Sequence, residues 1–500
     1  MPTPQGNEFT FYIPKPPTPP PGGGAATPSG VTATATAAPA RPAAKPIPAL
    51  TTPASGAKGT YARPASFIKS NYDITTKASF GMKQPLGGTH HVVRRVDVIR
   101  AALEGGYGRK VNWTTDLVID EFEAEELAAY LIQRLQMVDA FISTRADQAK
   151  AVSSFFERVE PSEKTATSFI LGGMGAYLAA QRWLAAGGDR IRSFLHVGTF
   201  TKGIAGKAAK IAIGAPAKKT NKKVPDFLVE GTSGKWHVFE SKGGHFDGRW
   251  ERLCEGLAQL AHVPPIGWAG VPLAPAETCV CVHTSVDAGE PLSIVAVDPP
   301  PDGTAEEGDE KSPPLELIEG VCRLLKMLEA LEQFRALTGA DDDAVESLGW
   351  QFESGPSFGG LRVGVPVRYL KREAEVRYRL ATFFAVRDVV NRFDVSHVDA
   401  FVLYVEHQLY RAPDSASVKD AWGLDLGELA GRLIPHLGKD DFLYRCSVEL
   451  MLQTLAEELM PPPDQNMDEI VIRLSQAGEY AVTSGGLFLQ ERPGRQFADQ

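Results

Sequence analysis

Between residues 191 and 298 the chain alternates apolar runs of strand length with clusters of turn-forming residues. The runs lie at 191 to 200, weakly patterned, at 225 to 230 and 236 to 242, and at 279 to 286 and 291 to 297, with a helix-period stretch from about 247 to 262. Strands interleaved with one helix in this order predict a mixed α/β domain. Upstream, Leu127, Leu131, Leu135 and Val138 recur at spacings of three and four, which predicts helix from about 114 to 157. A second helix is predicted from Glu163 to Ala186. Its Gly172, Gly173 and Gly175 lower helix propensity, so they mark either a close packing contact or a break. Downstream, 315 to 338 reads as an amphipathic helix and 359 to 370 as a strand whose Pro366 assigns it to an edge or a bulge. The remainder reads as mixed and mostly helical up to Leu474, with no repeat of solenoid period.

Composition changes the picture at the N-terminus. Residues 1 to 60 hold 14 of the 37 prolines, together with an Ala/Pro/Thr tract that has too little apolar surface to offset ordering entropy. A disordered arm over 1 to 65 follows, either a docking segment for a protein partner or a passive tether. The other expected units are a mainly helical region at 66 to 160, an α/β domain at 161 to 300, an acidic proline-rich linker at 301 to 314 and a C-terminal α+β domain at 315 to 500. A length of 500 residues suits such a division.

Charge narrows the partners. A net charge of −9 repels nucleic acid and anionic membranes from the protein as a whole, so any nucleic-acid contact is local. The five cysteines (Cys254, Cys279, Cys281, Cys322, Cys446) lack a CxxC framework and indicate neither disulfides nor zinc. The N-terminus has no basic start followed by an apolar run, so a cytoplasmic location is expected. The run from Thr165 to Ala180 is too short for a membrane span and reads as a buried helix.

The chemistry concentrates in VPDFLVEGTSGKWHVFESKGG, residues 224 to 244, where two β-prone runs flank a turn and predict a hairpin. With 231 to 235 as the loop, Phe227 faces Phe239 and Asp226 faces Glu240. Alternation puts Asp226, Leu228, Val238, Glu240 and Lys242 on one face, and Phe227, Val229, His237 and Phe239 on the other. Facing carboxylates repel unless a cation lies between them, and a divalent metal resolves the conflict. Magnesium takes hard oxygen ligands and keeps several waters. Asp226, Glu240 and a backbone carbonyl such as that of Ser241 therefore leave room for a phosphate oxygen and an attacking water. Lys242, on the same face, is placed to orient or help deprotonate that water and to stabilise charge developing on phosphorus.

Pro225-Asp226, thirteen intervening residues and Glu240-Ser241-Lys242 resemble the motif of the PD-(D/E)XK nuclease superfamily, which includes restriction endonucleases, Holliday-junction resolvases and phage exonucleases. Over about residues 160 to 300 the resemblance implies a restriction-endonuclease-like α/β fold, with a mixed central sheet flanked by helices. It implies Mg2+-dependent phosphodiester hydrolysis, with Mn2+ as a substitute cation and DNA as the expected substrate. Asp226 and Glu240 would be metal ligands and Lys242 the catalytic lysine. Several branches carry a glutamine or basic residue on the following helix, which makes Gln259 and Arg252 candidates for phosphate contact. Many members draw a metal-binding glutamate from the preceding helix. Glu163 is the candidate here, with Glu157 and Glu160 as rivals, although helix-dipole preference alone accounts for a glutamate in a first turn.

Seven lysines and no acid lie between Lys202 and Lys223. Lys218, Lys219, Lys222 and Lys223 precede Asp226 most closely and read either as phosphate-backbone contacts or as an ordinary solvated loop. His237 reads as a packed core residue, whereas His245 is placed to approach the site. His397 and His407 lack metal-ligand spacing. No phosphate-cradling GxxxxGK[ST] or GxGxxG motif stands out. The sequence thus predicts a nuclease with no membrane association and a protein partner through the arm or the C-terminal domain. Restriction, repair, antiviral defence and toxin delivery fit equally. The alternatives are a catalytically inactive nuclease-like module that binds nucleic acid or protein, and a coincidental match in which the two carboxyls lie apart.

Overall fold

Runs rich in valine, isoleucine and phenylalanine pair into one mixed sheet of eight strands, as the β propensity of these side chains favours. The computed structural model describes residues 6–14, 80–82, 90–105, 121–197, 225–260, 266–268, 277–298, 315–317, 319–338, 345–354, 361–392, 452–460 and 479–491. Strands β1 (Asn7–Pro14), β2 (Phe80–Met82) and β3 (His90–His91) precede helices α1 (Arg95–Glu104) and α2 (Glu121–Phe141). A short hairpin, β4 (Ile142–Thr144) and β5 (Lys150–Val152), leads to α3 (Pro161–Ala186). Then come β6 (Ile191–His196), β7 (Phe227–Gly231), β8 (Trp236–Gly244), α4 (Arg249–Leu260), β9 (Ile266–Trp268), β10 (Thr278–Ser285) and β11 (Ser293–Val297).

The strand order is β2-β1-β11-β10-β8-β7-β6, with β3 also pairing with β1. The β8/β10 and β1/β11 pairs are parallel and the others antiparallel. Parallel neighbours cannot be joined by a tight turn, and α4 lies in the crossover between β8 and β10. Helices α3 and α4 pack on β8 and β10 from opposite faces, so the central strands are covered on both sides.

Helix α3 runs unbroken, so its glycines serve close packing rather than a break. A Cβ on Gly172 would stand 2.9 Å from the Gly243 nitrogen and 3.2 Å from Ser241 Oγ, and one on Gly175 would stand 1.8 Å from Thr284 Oγ1. Gly243 answers from the sheet, where a Cβ would meet the Ser168 carbonyl oxygen at 1.9 Å. Bare backbone on both partners therefore sets the distance between α3 and the sheet.

Three expectations are corrected. Within the stretch read as a disordered arm, Asn7–Pro14 forms β1, inside the sheet between β11 and β2. Composition averaged over 65 residues hid the alternation in NEFTFYIP, which buries Phe9 and Phe11; Phe11 packs its ring 5.4 Å from that of Trp183 on α3. The Asn7 side chain ties the strand down, donating to the carbonyls of Lys150 (2.7 Å) and Leu292 (3.1 Å). The rest of the expected arm lies outside the described residues. The helix expected to reach 157 ends at Phe141, because β-branched Ile142, Thr144 and Val152 are drawn into β4 and β5.

The third correction falls in the C-terminal region, which holds β12 (Leu315–Leu317), α5 (Glu319–Thr338), β13 (Val345–Ser347), β14 (Trp350–Ser354), β15 (Leu361–Pro366), α6 (Val367–Arg392), β16 (Tyr480–Val482) and β17 (Phe488–Glu491). Its antiparallel sheet has the order β13-β14-β15-β17-β16, so β15 is an inner strand rather than an edge. Pro366 is tolerated as its last residue, where the chain turns into α6 and little of the ladder remains to be lost. The 301–314 segment read as a linker lies outside the described residues.

The two regions share one continuous apolar core. A buried polar cluster joins them as well. Lys326 Nζ on α5 lies 3.1 Å from Glu104 Oε2 on α1 and 2.9 Å from Glu329 Oε2, and the Ser484 amide and hydroxyl donate to the Glu104 carboxylate. Among the described residues no helix is long and apolar enough to cross a membrane. If β1 is part of the core, Phe11→Ala lowers the unfolding free energy in denaturant by about 3–5 kcal/mol. A loss under about 1 kcal/mol, typical of surface positions, would detach β1 from the core.

Candidate active site

The β7/β8 hairpin has the pairing expected from its alternation: Phe227 faces Phe239, Leu228 faces Val238 and Glu230 faces Trp236. Its turn closes with the Gly231 amide donating to the Lys235 carbonyl at 2.8 Å, and Gly234 takes the left-handed conformation (φ 75°) that the tight loop requires. Asp189 staples the turn from outside, accepting from Thr232 Oγ1 (2.6 Å) and the Ser233 amide (3.2 Å).

Counted on from these pairs, Asp226 stands beside Glu240 just before β7 begins. The Asp226 amide donates to Glu240 Oε2 at 3.3 Å, and the Ser241 amide donates to Asp226 Oδ2 at 2.9 Å. Lys242 Nζ donates to Glu240 Oε1 at 2.6 Å and to Gln259 Oε1, on α4, at 3.2 Å. Glu240 and Lys242 point toward α4, since a Cβ on Gly256 would lie 3.2 Å from Glu240 Cγ and 3.3 Å from Lys242 Cε. That glycine lets α4 press onto the two side chains.

The hairpin register also explains the proline of the motif. Hydrogen-bonded pairs alternate outward from Gly231 and Lys235, so Ser241 directs its N–H and C=O toward Pro225. Pro225 has no N–H to donate. The Ser241 amide turns to the Asp226 carboxylate, and its carbonyl receives no ladder bond from residue 225.

Burial is the largest influence on Glu240, only 1% exposed, and together with the neighbouring Asp226 charge it pushes the carboxyl up to about 7 despite the opposing pull of Lys242. Lys242 shows the converse balance. Burial alone would lower its pKa, but the charge and hydrogen bond of Glu240 outweigh this and raise it, so the side chain is an ammonium at neutral pH. Two carboxylates against one ammonium leave a site one positive charge short when both acids ionise.

The donor set fits a hard divalent cation, with the carboxylates of Asp226 and Glu240 and the carbonyl of Ser241 as its protein ligands. Among the described residues no three His, Cys, Asp or Glu side chains gather into a metal-binding group, so such a cation would rest on two acids and backbone.

The other expected residues divide. Gln259 reaches Lys242, and Arg252 lies over Gly244, where a Cβ would meet its Nε at 2.6 Å. Glu163 is not brought to the site. It is exposed in the first turn of α3, whose body packs on the sheet face away from Glu240 and Lys242. Its amide is capped by the Glu160 side chain, the N-cap of the helix, and Glu157 is likewise exposed. His245 is exposed and bonded to Asp287 at 2.8 Å, and His237 is buried against Thr278 Oγ1 at 2.8 Å. Lys218, Lys219, Lys222 and Lys223, with His397 and His407, lie outside the described residues. Not foreseen was the contribution of β10, whose parallel pairing sets Cys281 beside Glu240 and His283 beside Lys242. Alternation alone could have grouped Cys281, His283 and Ser285 on one face, but not aligned them with β8.

No protein-family model, curated protein or solved structure matches the chain.

The raised Glu240 carboxyl makes stability depend on pH. Between about 4.5 and about 7 the native state holds a proton that the unfolded chain has lost, so without divalent cations stability falls as pH rises through that window. Asp226→Asn removes the repelling charge and should raise Tm at pH 8 by about 2–4 °C, the shift that roughly 1 kcal/mol produces in a domain of ordinary size. The gain should shrink at pH 5, and added Mg2+ should stabilise the wild type but not the variant. Equal gains at both pH values would contradict this electrostatic account.

Proposed function

We propose that this protein is a metal-dependent nuclease that hydrolyses phosphodiester bonds, with DNA as its substrate, through Asp226, Glu240 and Lys242. The observation that carries the reading is the convergence of two acids and one ammonium at the open end of the β7/β8 hairpin, with Lys242 Nζ 2.6 Å from Glu240 and the Ser241 amide 2.9 Å from Asp226. The resemblance of Pro225-Asp226 and Glu240-Ser241-Lys242 to the PD-(D/E)XK superfamily supports it. So does the mixed sheet with a helix on each face, the architecture that resemblance implies.

In the reaction a water oxygen bonds to phosphorus as its proton passes to bulk water, while the bond from phosphorus to the leaving sugar oxygen breaks and that oxygen takes a proton from solvent. A bound Mg2+ would supply Lewis-acid polarisation of the phosphate and a more acidic water. Asp226, held by the Ser241 amide, and Glu240, held beneath α4, would bind that cation. Lys242 is already protonated, so it is suited to holding a phosphate oxygen and offsetting charge there rather than to accepting the water's proton. Gln259 keeps its ammonium aimed at the site.

Incubation of supercoiled plasmid and single-stranded DNA with Mg2+, Mn2+ or EDTA tests the reading. The wild type should cut with either cation and not with EDTA, while Asp226→Ala and Lys242→Ala should each slow cutting by about 100-fold or more. Equal cutting by the variants would place the activity elsewhere. A wild type that binds DNA without Mg2+ and never cuts it would be an inactive nuclease-like module.

A further inference from the structure

Along the α4 side of β8 the side chains run Val238, Glu240, Lys242 and then Gly244, which offers none. Arg252 fills that place, its guanidinium carbon 3.1 Å from where a Gly244 Cβ would stand. On the neighbouring β10, His283 pairs with Lys242 and Ser285 with Gly244. Both point to the α4 side, because Cys281, in phase with them, abuts Gly256 on α4, while Thr284 between them abuts Gly175 on α3.

His283 is fully buried, yet among the described residues neither of its ring nitrogens has a hydrogen-bond partner, nor does the hydroxyl of Ser285, 2% exposed. Buried donors are almost always paired, so two orphans side by side call for a ligand. Above them Arg252 is exposed and forms no ion pair or hydrogen bond among the described residues. Arg252 stands in the first turn of α4 beside Glu251, where unsatisfied N–H groups favour an anion, whereas its neighbour Arg249 is engaged by the Phe246 carbonyl at 2.7 Å and by the Phe246 ring. The nearby acid, Asp287, is engaged by His245 and the Phe246 amide.

We propose that Arg252, His283 and Ser285 form a subsite for a backbone phosphate adjacent to the one cleaved, an inference that rests on the nuclease reading and adds a second point of contact with DNA. The guanidinium fork, one imidazole N–H and one hydroxyl suit the several acceptor oxygens of a phosphate. From Lys242 to Gly244 is about 6.6 Å at 3.3 Å per residue, a span that a nucleic-acid backbone bridges from one phosphate to the next. Burial and the two arginines push His283 down to about 4, so it acts as a neutral donor and the charge comes from Arg252. The long, unpaired Arg252 side chain lifts to admit the phosphate and closes over it.

The test is binding of a short fluorescein-labelled DNA duplex without divalent cation, by anisotropy over a series of KCl concentrations, alongside plasmid cutting in Mg2+. Arg252→Ala should weaken binding and lower the slope of log Kd against log salt by about 0.9, the loss of one phosphate contact. His283→Leu and Ser285→Ala should weaken binding about 5-fold each with the slope unchanged, because neutral donors release no counterion. Neither should lower Tm, since no intramolecular hydrogen bond is lost, and the milder Ser285→Ala serves if His283→Leu misfolds. Wild-type affinity in both the His283 and Ser285 variants, or an unchanged slope in Arg252→Ala, overturns the subsite while leaving the nuclease reading intact if plasmid is still cut. Absence of both DNA binding and cutting in the wild type removes the nuclease reading and the subsite with it. A duplex bound but uncut, with all three variants weakened, keeps the subsite and removes hydrolysis.

Discussion

Side-by-side seating of Asp226 and Glu240 depends on one register of one strand pair, and the rest of the site answers to it. A slip of a single residue between β7 and β8 would turn Glu240 and Lys242 from the α4 face of the sheet to the α3 face and bring Phe239 to the site instead. The Gly231–Lys235 turn, stapled by Asp189, holds that register from the closed end of the hairpin. At the open end Pro225 stops the ladder, so backbone groups that would otherwise pair with each other face the carboxylates.

Repulsion between the two acids persists because the surroundings leave them no room to separate. Strand β8 is clamped from above by α4 at Gly256 and from below by α3 at Gly172, with Gly243 bare on the strand itself. Such close approach excludes water, which strengthens every charge interaction in the cleft and raises the Glu240 carboxyl. Lys242 balances part of the charge and no more. A site built this way holds unfavourable energy that a bound divalent cation would relieve.

The same economy of glycine shapes the neighbouring corner. Gly244 vacates a place in the row of side chains, Arg252 takes it, and the two buried donors of β10 find no partner among the described residues. Stability alone would have filled this corner with apolar side chains or paired the donors, as it did throughout the Phe11, Trp183 and Leu171 region of the core. Distant parts of the chain stabilise the scaffold that bears these costs, with β1 extending the sheet and the Lys326 cluster tying α5 and Ser484 to α1.

The amino-acid sequence by itself determined the hairpin, the face shared by Glu240 and Lys242, the meeting of Asp226 with Glu240, and the helical runs that became α3 and α4. These follow from period-two alternation, turn glycines and apolar spacing, which act over a few residues. Tertiary structure alone decided that Phe9 and Phe11 join a sheet built more than a hundred residues later, that β15 is an inner strand despite Pro366, that Gly172 and Gly175 are contact points, and that Glu163 stays on the far side. It also set His283 beside Lys242. Each of these depends on segments distant in sequence meeting across the sheet, and the energy of such a meeting, shared between both partners, is written in neither segment alone.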